Sequence, residues 1–127
     1  MTVKTTFTML AWDEDRSSQT LPRVTPAHVS FGLPGLDGSV KAEYLMTYLP
    51  EGNASFIFTD TIVAKDILGK SGSFITQGKG TFDAKTYSVE GKFDVIEGTG
   101  TDELSKIKGN GSFRSSPVSE YVFDLTV

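Results

Sequence analysis

Apolar and polar residues alternate along most of this chain, and no stretch carries an apolar face at helical spacing long enough to make a covering helix. The alternation is cleanest in Tyr87-Ser-Val-Glu-Gly-Lys-Phe-Asp-Val-Ile96, where Tyr87, Val89, Phe93 and Val95 share one side. Ser88, Glu90, Lys92 and Asp94 take the other. The final run repeats the pattern, with Tyr121, Phe123, Leu125 and Val127 set against Glu120, Asp124 and Thr126. A period of two means a half-buried β-strand, because successive side chains leave opposite faces of a sheet. With no helix to cover it, such a sheet has to bury one face against itself.

Strand-like runs lie at Thr5–Asp13, with Phe7 and Met9 inward, and near Ala27–Gly32, Ser39–Leu49, Ala54–Val63, Ser71–Asp83 and Ile107–Ser115. Turn chemistry separates them at Leu36-Asp37-Gly38, Pro50-Glu51-Gly52-Asn53, Asp83-Ala84-Lys85 and Ser115-Ser-Pro117. Only Asp66–Leu68 and Thr101–Lys106 have the composition of a helical turn, and Asp13–Arg23 reads as a long polar loop. About eight short strands with hairpin-sized links predict a closed, eight-stranded antiparallel barrel, in which no edge is left exposed. Gly72, Gly78, Gly80, Gly91, Gly109 and Gly111 all fall inside strand-like runs, where they permit sharp coiling. A length of 127 residues fits one domain spanning 1–127. Nine Phe, four Tyr and one Trp make its core one of rings.

Composition removes several functions. There is no Cys, so thiol nucleophiles, thiolate metal sites and disulfides are out, and the single His28 rules out multi-histidine metal chemistry. No cofactor or metal is expected. The 12 Lys and Arg are scattered singly, which leaves no footprint for nucleic acid. A net charge of −4 disfavours an anionic membrane surface, and no apolar run approaches the ~18 residues of a membrane span. The Thr-rich start, Met1 to Leu10, lacks the apolar core of a signal peptide, so a cytoplasmic location is expected. The sequons at Asn53 and Asn110 then carry no meaning.

Two glycine motifs suggest phosphate binding and fail on context. Ala64-Lys-Asp-Ile-Leu-Gly-Lys-Ser71 approaches a P-loop, but the alternating, glycine-rich Gly72–Gly80 follows it where a helix is required. Gly98-Thr-Gly-Thr-Asp-Glu103 lacks the third glycine of a dinucleotide fingerprint. Both read as turns. His28 lies out of phase with Ala27, Val29 and Phe31 and points outward, and Asp13-Glu-Asp-Arg16 is a solvated charge run.

The apolar phase itself carries polar groups. Tyr44, Tyr48, Tyr87 and Tyr121 share phase with core residues, and Asp60 lies in phase with Ala54, Phe56, Phe58 and Ile62. A carboxyl in an aromatic interior has its pKa raised by desolvation, and tyrosine hydroxyls are its natural partners. On the other phase, outward Leu45, Leu49, Ile57, Ile75 and Val122 predict a subunit interface, hence a homodimer or higher homo-oligomer.

Ala11-Trp-Asp-Glu14, Ala42-Glu-Tyr-Leu-Met46, Gly69-Lys-Ser-Gly-Ser-Phe74 and Gly98-Thr-Gly-Thr-Asp-Glu-Leu104 with Ile107-Lys-Gly109 occur in that order. Together they resemble a largely bacterial domain family of unknown function, over nearly the whole chain. The resemblance implies a calycin-like barrel similar to allene oxide cyclase, and a lumen for an apolar small molecule. It does not carry cyclase activity, because fold does not carry function. Members of that family often have His after the Gln of the Gly-Ser-Phe strand, whereas Gln77 is followed here by Gly78.

The expected function is binding of a small hydrophobic molecule in a lumen lined by Trp12, Tyr44, Met46, Tyr48, Phe56, Phe58 and Tyr121. A cofactor-independent isomerase or cyclase is the alternative, with Asp60 and Tyr44 or Tyr48 as its catalytic pair. A solid interior, with function on an oligomer surface, is the third possibility.

Overall fold

A computed structural model gives the architecture and describes residues 1–15 and 20–127. Nine strands form one antiparallel sheet: β1 (Thr2–Thr6), β2 (Thr8–Glu14), β3 (Arg23–Leu33), β4 (Gly38–Tyr48), β5 (Ala54–Ile67), β6 (Lys70–Asp83), β7 (Ser88–Val95), β8 (Lys108–Arg114) and β9 (Glu120–Thr126). The hydrogen-bonded order is β1-β9-β8-β7-β6-β5-β4-β3-β2. Single 3-10 turns occupy Pro34–Leu36 and Asp102–Leu104. No helix among the described residues is long and apolar enough to cross a membrane.

The all-β class and the curled sheet agree with the expectation; a closed ring of eight strands does not. The expected first strand is two, because its pairing is shared between both ends of the sheet. Thr5 pairs with Tyr121 of β9 and Thr8 with Gly32 of β3, so the chain changes partner at Phe7 and no ladder joins β1 to β2. Rings bridge that gap. Phe7 lies edge-on to Phe31 of β3 at 5.3 Å and to Tyr121 of β9 at 5.2 Å.

The sheet curls around its alternating apolar set, and rings occupy the inside of the curl. Across the register, Met46, Phe56, Gly80, Gly91, Phe113 and Tyr121 stand directly opposite one another, strand by strand. Gly80 and Gly91 form the middle of that row and serve as seats for rings. A Cβ on Gly80 would stand 2.6 Å from the Phe56 ring, and one on Gly91 would stand 2.7 Å from the Phe113 ring. The two rings stack at 6.4 Å over the bare backbone between them. One end of the curl is covered by Leu36 and Leu104 from the 3-10 turns and by Ile107, all buried.

Both glycine motifs serve the sheet. Ala64–Ser71 is the β5–β6 hairpin, with Leu68 (φ 52°) and Gly69 (φ 77°) left-handed at its tip, as a two-residue I′ turn requires. Asp66–Leu68 is therefore no helical turn; β5 continues to Ile67. The segment from Gly98 runs alongside β6, where Thr99 Oγ1 accepts from the Ile75 amide at 3.0 Å and Thr101 Oγ1 from the Ser73 amide at 2.9 Å. It stands in for β7, whose pairing with β6 begins at Thr76.

Two inward assignments are corrected. Met9 pairs with the inward Phe31 just before a register shift in the edge strand β2, yet it is 53% exposed and contributes nothing to the core. Tyr87 sits before β7 with φ 53° and is 80% exposed, so it belongs to a turn rather than to the strand's inner phase. His28 points outward as expected, against Glu43. The expected Asp13–Arg23 loop shortens, because β2 reaches Glu14; its residues 16–19, Arg16 of the charge run included, lie outside the described residues.

If Gly91 is a ring seat, Gly91→Ala destabilises the protein by about 2 kcal/mol through overpacking. In a Phe113→Leu background the same substitution costs about half as much or less, because the smaller side chain can yield. Urea denaturation of the four proteins measures the coupling.

Candidate functional site

The seven expected lining residues all face the inside of the curl. Tyr44, Met46, Phe56, Phe58 and Tyr121 are buried, whereas Trp12 and Tyr48 are half-buried against the cluster at its edge. The rings touch throughout: Tyr44 lies 5.1 Å from Phe56, 5.5 Å from Phe58 and 5.9 Å from Trp12. Tyr121 stacks on Phe113 at 5.3 Å and on Phe123 at 5.7 Å.

Asp60 is 0% exposed within this cluster. β5 delivers it because the strand keeps its phase from Ala54 through Ile62, alternating buried and outward residues. Tyr121 reaches it from β9, donating to Oδ2 at 3.3 Å. Thr76 of β6, directly opposite Asp60, is also 0% exposed. Sequence reasoning passed over Thr76, although it lies in phase with Phe74. Asp60 Oδ1, Tyr44 Oη and Thr76 Oγ1 are buried with no hydrogen-bond partner among the described residues.

Electrostatics follow from burial. Desolvation pushes the Asp60 carboxyl up to about 7, and the Tyr121 hydrogen bond only partly opposes it. Burial first, and the charge of Asp60 second, hold the Tyr44 and Tyr121 hydroxyls well above the ordinary phenol range. Both tyrosines therefore stay protonated and able to donate a hydrogen bond, and Asp60 is poised between its two protonation states near neutral pH.

A second polar cluster marks the edge at Trp12. The Glu14 carboxylate accepts from Trp12 Nε1 at 3.1 Å, Tyr48 Oη at 3.1 Å and Thr25 Oγ1 at 2.5 Å. The Arg23 guanidinium lies over the Tyr48 ring at 4.5 Å. Glu14 is therefore not part of a solvated charge run, as expected for Asp13–Arg16, but a half-buried strand residue in phase with Trp12; Thr25 was missed. No group of three or more His, Asp or Glu among the described residues is placed to hold a metal ion.

Two open depressions lie on the sheet's outer side. The larger, about 1050 Å³, runs from β1 and β4 to β9 across outward residues, among them Lys79, Lys92 and Ile57, and reaches the Phe56 and Phe113 rings at Gly80 and Gly91. The smaller, about 470 Å³, has Pro26, Glu43 and Gln77 on its rim. Of the expected outward aliphatics, Leu45, Leu49 and Ile57 are exposed, whereas Ile75 and Val122 are half-buried.

The Asp60 shift has a consequence for stability. Its carboxyl ionises near 3.8 in an unfolded chain and near 7 in the folded protein. Between those values the folded state holds the extra proton, so this group's contribution is greatest at low pH and is lost as pH rises through about 7. Asp60→Asn, which stays neutral, is therefore expected to match the parent near pH 4 and to exceed it by a few kcal/mol above pH ~7.5. Urea denaturation of both proteins across that range checks the sign.

No curated protein matches the chain. A family model for proteins of unknown function, DUF3224, matches residues 3–126, almost the entire length. The chain, with its curled sheet and buried ring cluster, belongs to that family.

Proposed function

We propose that this domain binds a small, mainly hydrophobic molecule inside the curl, with the molecule's polar group held by Tyr44, Asp60 and Thr76. One observation carries the reading: three buried polar atoms, one on each residue, have no partner among the described residues. Each such atom costs about 1–3 kcal/mol relative to a hydrogen-bonded one. An apolar residue at any of these positions would remove that penalty, so a chain selected for stability alone gains nothing by keeping them. A ligand carbonyl or hydroxyl supplies the missing partner, and the surrounding rings supply the apolar contact. Because those rings already touch, the ligand is small and enters as they part. The curled sheet with its buried ring cluster supports the same reading.

Native mass spectrometry of freshly purified protein, and amide chemical-shift mapping with 2-decanone as probe, test it. The expected results are a retained small-molecule mass or shifts centred on Tyr44, Asp60 and Thr76, with affinity for 2-decanone falling about tenfold in Thr76→Val. No retained mass together with no interior response to 2-decanone overturns the proposal.

A cofactor-independent isomerase or cyclase is the second reading, favoured by the Asp60 carboxyl at about 7. A group balanced at that pH can take a proton from carbon and return it elsewhere, with the Tyr121 hydroxyl beside it as donor. Asp60→Asn then removes turnover while leaving ligand affinity within a few fold; turnover that survives the substitution excludes Asp60 as the base.

A further inference from the structure

The larger outer depression combines three features that together describe a ligand. The first is charge. Its lining holds four cationic side chains, Lys4, Lys79, Lys92 and Arg114, against two carboxylates, Glu90 and Glu120. Arg114 is paired with Glu120 at 3.4 Å, and none of the three lysines makes an ion pair among the described residues. This excess of positive charge stands on a protein whose net charge is −4.

The second feature is register. Lys79 of β6 and Lys92 of β7 are directly opposite one another. Like charges facing across an antiparallel pair oppose sheet formation, with Cβ atoms about 4.5–5.5 Å apart. One anion between the two ammonium groups turns that repulsion into attraction.

The third is an apolar track on the same row. Lys79 is paired with Ile57, and Ile57 with Leu45. Both aliphatics are exposed, at 59% and 43%. From Lys79 to Leu45 is two strand spacings, about 10 Å. Val122 flanks the lysines on the other side, between Ser112 and Lys4.

We infer that this depression is a binding site for a single-chain anionic amphiphile, its carboxylate or phosphate between Lys79 and Lys92 and its hydrocarbon chain across Ile57 and Leu45. Its charged and aliphatic side chains occupy the opposite phase from Asp60, while its floor is the bare backbone of Gly80 and Gly91 with the Phe56 and Phe113 rings beneath. A volume of about 1050 Å³ suits a small amphiphile rather than a flat protein partner.

Amide shift mapping and calorimetry with decanoate, kept below its micelle concentration, test the inference on the whole protein. Uncharged decyl maltoside and inorganic phosphate are the controls. Decanoate is expected to shift Ile57, Lys79 and Lys92 and to bind more weakly as salt is raised. It should lose about tenfold in affinity in the Lys79→Gln/Lys92→Gln variant. Ile57→Ser should weaken decanoate and leave the weak response to phosphate unchanged. Equal binding of decyl maltoside, or decanoate shifts confined to Tyr44 and Asp60, overturns the proposal. So does a sedimentation profile showing a dimer that Ile57→Ser dissociates, because a second copy would then cover this face.

Discussion

This fold depends on aromatic rings seated against glycine backbone. A sheet that has only itself to bury against must curl tightly, and a tight curl of large side chains collides with its own far wall. Gly80 and Gly91, paired in the middle of β6 and β7, remove that collision where Phe56 and Phe113 meet. The glycines weaken the strands locally, yet they let the rings of β5 and β8 make stacked contact across two intervening strands. Curvature, ring cluster and core are one arrangement seen three ways.

Into this apolar setting the chain places a carboxyl and three hydroxyls. One hydrogen bond, from Tyr121 to Asp60, joins two of them; the other groups stand among rings. Their burial changes their chemistry more than their proximity does, since desolvation is the leading cause of every shift in the cluster. A neutral carboxyl among rings is a versatile partner, able to donate or accept a hydrogen bond, whereas an ionised one only accepts. The outer side of the sheet shows the reverse, with Lys79 and Lys92 exposed and paired across β6 and β7.

The sequence was legible where one physical rule decided. Strict alternation placed Asp60, Tyr44 and Tyr121 inside, because a strand that keeps its phase can send a side chain nowhere else. The near-P-loop was correctly read as a turn for want of a helix after it. Reading failed where two strands compete for one, or where a local distortion resets the phase. Between Thr6 and Thr8 no glycine or proline marks the exchange of partners at Phe7. The slip near Met9 and the left-handed backbone of Tyr87 likewise leave the composition of their runs unchanged. Thr76 was visible in phase and was overlooked only because threonine is common in strands. The lysine pair on the outer side needed the register of β6 on β7, which alternation alone does not supply.

The break at Phe7 makes the wall unequal around its circumference. Elsewhere, separating two neighbouring strands ruptures a ladder of main-chain hydrogen bonds; between β1 and β2 it disturbs the packing of Phe7, the Phe31–Tyr121 contact and the hydrogen bond from the Gly35 amide to Thr5 Oγ1. The seam at Phe7 is therefore the place in the wall where side-chain packing, rather than a main-chain ladder, joins the two ends of the sheet.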